Sequence, residues 1–248
     1  MSKNKNPVTA KSGLSTNVIL TIVVVVVAVV VIGGVLLFSR GGSEDNASSG
    51  PAVAAEILRK PDSNMLTSAP DNKVTVVEFL DYQCPGCRSY YSGLTKQVEK
   101  DYAGKITFIA RNFPLGMHPL ARPAAQAAEA AGVQGKYKEM YHALYDNYDA
   151  WAVAADGQNI STDEAKARGL FDQYAQQLGL DLNKFRQDMN SPQVNAKIDA
   201  DVADGEKAGV QGTPTIFING KEFDAGDVQT FQQLNDAFRG EVDKELAK

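Results

Sequence analysis

The chain has 248 residues, 44% of them hydrophobic and 22% charged, with a formal net charge of −5. That acidic balance gives no electrostatic reason to expect nucleic acid as a partner. With two cysteines and two histidines in all, few ligands are on offer for a zinc site, which needs about four, and no cofactor-binding motif is visible.

In chain order, residues 1–17 carry Lys3, Lys5 and Lys11 and no acid. Residues 18–38 (VILTIVVVVVAVVVIGGVLLF) are free of charge, and at about 1.5 Å per helical residue they reach about 31 Å, one hydrocarbon core. The run exceeds the roughly 7 to 15 apolar residues of a cleavable signal, and no clear A-x-A site follows it. It is therefore expected to stay as a single transmembrane anchor. Lysines before the span and Glu44 and Asp45 after it place the N-terminus in the cytoplasm and the rest outside. Residues 39–52, containing GGSEDNASSGP, read as a flexible linker. Folded structure is expected from Val53 onward, a length sufficient for one domain with a substantial core. No internal repeat is present.

Residues 74–80 are rich in β-branched and aromatic side chains and read as a buried strand. A helix is expected over 87–102, where Tyr90, Tyr91, Leu94, Val98 and Tyr102 recur at helical spacing and Gly104 stops it. A second strand follows over 105–110. From about 119 to 208 the chain is alanine- and glutamine-rich, broken by Gly132, Gly135, Gly157, Gly169, Gly179 and Pro192, which predicts a block of several helices. Residues 215–218 read as a strand, Asn219-Gly220 as a tight hairpin turn, 221–223 as its return, and Asp227 as the cap of a final helix.

Both cysteines lie in Cys84-Pro85-Gly86-Cys87, directly after the first strand. Two thiols placed together suit a dithiol that opens and closes; half of a metal site and a structural disulfide are the alternatives. A staple across so short a loop would remove little entropy from the unfolded chain. At a strand-to-helix turn, the unpaired N–H groups and the helix dipole favour a thiolate at Cys84. Cys84 is thus the expected nucleophile and the more buried Cys87 the resolving thiol. Pro85 suits a first helical position, and Gly86 adds no charge.

EFLDYQCPGC at Glu78 to Cys87, FPLGMHPLA at Phe113 to Ala121, AAQAAEAAGVQGKY at Ala124 to Tyr137 and GVQGTPTIFING at Gly209 to Gly220 together resemble the DsbA-like thiol:disulfide oxidoreductases of the thioredoxin superfamily. The resemblance spans roughly Val53 to the C-terminus. It implies an α/β thioredoxin fold over 53–248 with a helical insert at about 119–208, and a cis Thr213-Pro214 peptide beside the cysteines. It also makes Thr213, Pro85 and Gly86 substrate-facing, and Glu78 a buried acid serving Cys87. From alternation alone Glu78 could instead be a solvent-facing strand residue, and Pro214 a trans loop proline. Asp81 is expected to shape the turn, His118 to be structural, and His142 to be a helix-surface or core residue. Tyr137, Tyr141, Tyr145, Tyr148 and Trp151 are expected to form the core of the insert.

The function implied is an extracytoplasmic enzyme that introduces disulfides into exported proteins carrying cysteine pairs, is reoxidised by a membrane-bound partner, and uses no metal or cofactor. Strong oxidants of the family carry a histidine where this chain has Gly86, so a milder potential is expected. A reductase or isomerase of the same fold, or a non-catalytic substrate-binding or chaperone module, are the alternative functions.

Overall fold

The computed structural model describes residues 52–248. The expected cytoplasmic segment, the anchor at 18–38 and nearly all of the linker lie outside the described residues. Among those described, no helix is long and apolar enough to cross a membrane.

The centre of the domain is β2 (Thr75–Leu80), the strand expected from its β-branched run. It pairs in parallel with β3 (Thr107–Asn112) and antiparallel with β4 (Thr215–Ile218). A short β1 (Asn64–Thr67) flanks β3, and β5 (Lys221–Glu222) closes the other edge, giving the order β1-β3-β2-β4-β5. Side chains alternate across a strand, so Val77 and Phe79 enter a small cluster with Leu58, Ile109, Phe113, Val210 and Phe217. Val76 and Leu80 enter the main core on the opposite face, with Cys87, Tyr91, Leu94 and Val98. Glu78 lies between Val76 and Leu80 and shares their face. It is 1% exposed, so the solvent-facing reading is excluded.

The helix after the active-site turn, α2, begins as Pro85–Tyr90, passes through a π-helical turn at Tyr91–Thr95 and continues as Lys96–Asp101. Nothing in the residue pattern of this helix foretells that π turn. It is covered by the C-terminal helix α9 (Phe231–Leu246), and a Cβ placed on Gly93 would sit 2.8 Å from the Phe231 ring. Helix α9 is capped by Thr230 with a capping box to Gln233, not by Asp227. A side-chain oxygen competent to cap is present at both positions, and the Thr-x-x-Gln pairing, which satisfies two donors at once, decides between them.

Between β3 and β4 lie six helices: α3 (Ala121–Val133), α4 (Tyr137–Asp146), α5 (Tyr148–Trp151), α6 (Glu164–Gln177), α7 (Leu182–Met189) and α8 (Pro192–Lys207). The alanine run of α3 keeps that helix thin, so α4, α6, α7 and α8 all pack around it. Helix α8 returns to the sheet, where Arg111 of β3 is fully buried. Its guanidinium donates to Asp201 at 2.7 Å and Asp204 at 2.8 Å, and to the carbonyls of Ile57 and Leu58 at 3.0 and 2.9 Å. Those carbonyls belong to the short helix α1 (Ala55–Leu58). The hairpin turn forms as its sequence demands, with Asn219 and Gly220 both at positive φ.

Candidate active site

The end of β2 delivers the site. Asp81, Tyr82 and Gln83 form a buried turn, Cys84 caps α2 in an extended conformation, and Pro85 takes the first helical position. Both sulfurs are free thiols; Cys84 is 7% exposed and Cys87 fully buried. The Thr213-Pro214 peptide is cis. Its loop lies against the motif: a Cβ on Gly86 would be 3.4 Å from both Cys84 Sγ and Pro214 Cδ, and 3.7 Å from the Thr213 carbonyl oxygen. Cys84, Gly86, Thr213 and Pro214 therefore share one surface, and Pro85 is exposed beside it.

The two sulfurs have opposite electrostatics. A hydrogen bond from the Cys87 thiol brings the Cys84 pKa down to about 5 against the opposing effect of burial. The backbone N–H groups of Cys87 and Gly86 and the Thr213 side chain add to this lowering. These N–H groups belong to the first turn of α2, as the position of the motif predicts. In the thiol form Cys84 donates to the Thr213 carbonyl at 3.4 Å. In the thiolate form the Thr213 hydroxyl is the available donor, since it has no other partner among the described residues. Cys87 is pushed well above its ordinary value by burial, and further by Cys84 and the charge of Glu78. Glu78 is itself raised to about 8 by burial first, then by the charges of Glu99 and Cys84. It is thus protonated at neutral pH and lies on the Cys87 side of the sheet.

Several site residues escape sequence reasoning. Asp81 does shape the turn, accepting from the Gln83 N–H at 2.7 Å, but it also accepts from the Leu115 N–H at 2.9 Å and pairs with His118 Nδ1 at 2.7 Å. His118 thereby ties its loop to the turn that carries the cysteines. The Asp81 N–H donates to Cys87 Sγ at 3.4 Å. Gln83 spans the turn and the insert, donating to the Ala152 and Ser161 carbonyls at 3.3 and 2.8 Å and accepting from Leu120 N–H at 2.6 Å. The aromatic cluster is the insert core as expected, and its hydroxyls also reach the turn. Tyr148 donates to the Gln83 carbonyl at 2.6 Å and Tyr82 to the Tyr137 hydroxyl at 2.9 Å. No local pattern announces these bonds, because the partners of Gln83 and of the two tyrosines lie 37 to 78 residues away. His142 is half-buried and hydrogen-bonded to both Tyr91 and Glu99, 2.9 and 3.2 Å away.

A family model described as thioredoxin matches residues 62–237. The chain belongs to the thioredoxin family. It is similar to the solved structure of a thioredoxin-like oxidoreductase from Silicibacter pomeroyi, at 29% identity over 77% of this chain and 99% of that one, with a TM-score of 0.57. It shares the fold of the thiol-disulfide exchange protein α-DsbA2 from Wolbachia pipientis, at 22% identity over 76% and 90% of the two chains, TM-score 0.58. Among curated proteins, the Na(+)/H(+) antiporter NhaA 1 of Mycolicibacterium gilvum is 31% identical over 174 residues, 68% of this chain. The chain spans about a quarter of the length of the curated relatives it matches, 26% in that case. The family match and the paired thiols make it a thioredoxin-superfamily protein that carries a dithiol, Cys84 and Cys87, at the start of α2.

Proposed function

We propose that the domain is a thiol:disulfide oxidoreductase that donates the Cys84–Cys87 disulfide to cysteine pairs of exported proteins on the outer face of the membrane. The observation that carries this reading is the split between the sulfurs, with Cys84 near 5 and Cys87 far above its ordinary value. A substrate thiolate attacks Cys84 Sγ, the Cys84–Cys87 bond breaks, and Cys87 leaves as a thiolate that takes the proton of Glu78. The substrate's second thiolate then attacks the substrate sulfur bound to Cys84. The substrate disulfide forms and Cys84 departs as a stable thiolate, two electrons having passed to the enzyme.

A low leaving-group pKa favours this direction. Each unit by which Cys84 lies below ambient pH contributes about 30 mV toward an oxidising potential. Thr213, Pro214, Pro85 and Gly86 line the approach to Cys84 and are the substrate-facing set. The anchor at 18–38 would hold the domain at the membrane, where a membrane-bound oxidant reloads it. Gly86 supplies no cation to the thiolate, which keeps the reductase or isomerase direction as the second reading.

Two measurements test the proposal. Equilibration with glutathione should place the couple on the oxidising side of thioredoxin, above about −270 mV; a value below it would assign the reductase role. Cys87→Ala should accumulate mixed disulfides through Cys84 on non-reducing gels, whereas Cys84→Ala should trap little.

A further inference from the structure

The reaction leaves one proton to account for. Each substrate disulfide made consumes a proton at Cys87 through Glu78, and each reoxidation releases one, yet both groups are sealed from solvent, 0% and 1% exposed. Four buried side-chain oxygens have no hydrogen-bond partner among the described residues, Glu78 Oε2 itself and Thr95 Oγ1, Glu99 Oε1 and Tyr141 OH. Unpaired buried oxygens are rare and costly, and a buried water needs about two to four such polar partners.

Two of these groups, Thr95 and Glu99, lie on α2 in line with Cys87. Cys87, Tyr91, Thr95 and Glu99 follow one another at four-residue intervals, and all four are buried, Glu99 at 7% being the most exposed. In a regular α-helix each such step turns about 40°, so three steps would carry Glu99 about 120° away from the Cys87 face. The step from Tyr91 to Thr95 is instead the π turn, whose wider i→i+5 winding turns the chain less per residue and offsets that drift. The polar stripe is thereby kept on one face, running from the resolving sulfur toward the helix end.

Helix α4 covers the stripe. Tyr141 packs edge-on to Tyr91 with ring centroids 5.6 Å apart, and His142 bridges Tyr91 and Glu99. Tyr91 has a single hydroxyl proton and donates it to Asp146 at 2.8 Å, so the bond to His142 Nδ1 at 2.9 Å is donated by the imidazole. Nε2 of that tautomer then faces Glu99 Oε2 at 3.2 Å, two acceptors unless a further proton lies between them. A proton taken up at Nε2 would lie between the two. Lys138 and Lys96, paired with Glu99 and Asp146 at 2.7 and 2.8 Å, complete the charged groups around it. The His142 side chain is 28% exposed and opens the set to solvent.

We propose that Thr95, Glu99 and His142 relay the proton exchanged between solvent and the Glu78–Cys87 pair, with water and the Tyr141 hydroxyl spanning the intervals. Glu78, having given its proton to Cys87, recovers one from the Glu99–His142 pair by way of the Thr95 hydroxyl, which accepts and donates together. His142 refills from solvent. Reoxidation runs the same path outward, so no net proton is stored. The charge of Glu99, which helps raise Glu78, favours that return.

The relay rests on the thiol-exchange reading, and rapid mixing of the reduced protein with glutathione disulfide separates the two. The first phase, attack by Cys84, needs no proton at Cys87; its absence would overturn the exchange reading itself. The second phase, in which Cys87 displaces glutathione, requires Cys87 to lose its proton. Thr95→Val, which alters neither charge nor shape, should slow the second phase about tenfold or more and leave its pH midpoint in place. Thr95→Ser should restore it. Glu99→Gln should slow the same phase, and adding Thr95→Val to it should slow it no further. A second phase within twofold of the wild type in Thr95→Val would overturn the relay. Should that variant not fold, His142→Gln, at the partly exposed entry, tests the relay by the same phase, with slowing expected and a rate within twofold of the wild type overturning it.

Discussion

At the scale of single residues, the division of labour between the sulfurs follows from one helical turn of separation and the difference in burial it brings. Cys84 caps a helix and meets its free N–H groups, while Cys87 is one turn in, beside a protonated carboxyl. The site was legible in the sequence where chemistry is local, in the paired cysteines, and through the resemblance for Glu78 and Pro214. Gln83 and His118 were not legible as site residues, since each acts through bonds to segments far along the chain. Replacing Glu78 by Gln removes the proton that Cys87 needs and should slow Cys87-dependent steps about a hundredfold. The alkylation midpoint of Cys84 should stay near pH 5, because Glu78 titrates near 8 and is neutral there in the wild type. A displaced midpoint in iodoacetamide labelling would mean that Glu78 acts on the nucleophile instead. At Gly86 a Cβ meets its neighbours at 3.4 Å, ordinary contact, so Gly86→His is expected to fold. An imidazolium there lowers the Cys84 pKa and raises the reduction potential together, by about 30 mV per unit. Glutathione equilibration at several pH values would read both.

At the scale of elements, the strongly patterned strands and the Asn-Gly hairpin were readable, and the misses have physical causes. Strand β1 (NMLT) is four residues with one exposed methionine, Met65 at 45%, and it is specified by pairing with β3, not by its own composition. Strand β3 runs two residues beyond its apolar run because Arg111 and Asn112 find buried partners on α8 and α3. Gly93 in the π turn and Gly205 in α8 each leave a space filled by a phenylalanine. A Cβ on Gly205 would lie 2.7 Å from Phe113 and 3.1 Å from Phe79, whose rings are 9% and 0% exposed and cannot withdraw. Gly205→Ala should cost about 1–3 kcal/mol, outweighing the roughly 1 kcal/mol helix preference for alanine. Gly93→Ala meets Phe231, which is 49% exposed and free to swing aside; its melting temperature should stay close to that of the wild type. Equal destabilisation by the two substitutions in thermal melts would show that Phe231 is held as rigidly as Phe113.

At the scale of the whole domain, the insert and the sheet are joined around the active-site turn. The tyrosines of α4 and α5 hydrogen-bond to that turn, and Arg111 fastens α8 and α1 to β3 from beneath. Helical periodicity revealed the insert's extent, whereas its orientation depends on buried polar bonds that no periodicity encodes. The redox state of the turn should therefore be felt by the stability of the whole domain. In the reduced protein Cys84 titrates near 5 when folded against an ordinary value of 9.0. A depressed acid contributes stability that is complete above pH 9 and lost as pH falls through 5. At pH 7 this amounts to on the order of 1–3 kcal/mol after allowance for solvent screening. The oxidised protein has no thiolate and gains none of it. Its disulfide closes too short a loop to compensate by restricting the unfolded chain, and the raised Glu78 acts in both states and largely cancels. The dithiol form should thus melt above the disulfide form at pH 7, with the gap widening toward pH 9 and closing near pH 5. Paired calorimetric scans across that range read the gap directly, and a disulfide form that melts higher at neutral pH would reverse the proposed direction of electron flow.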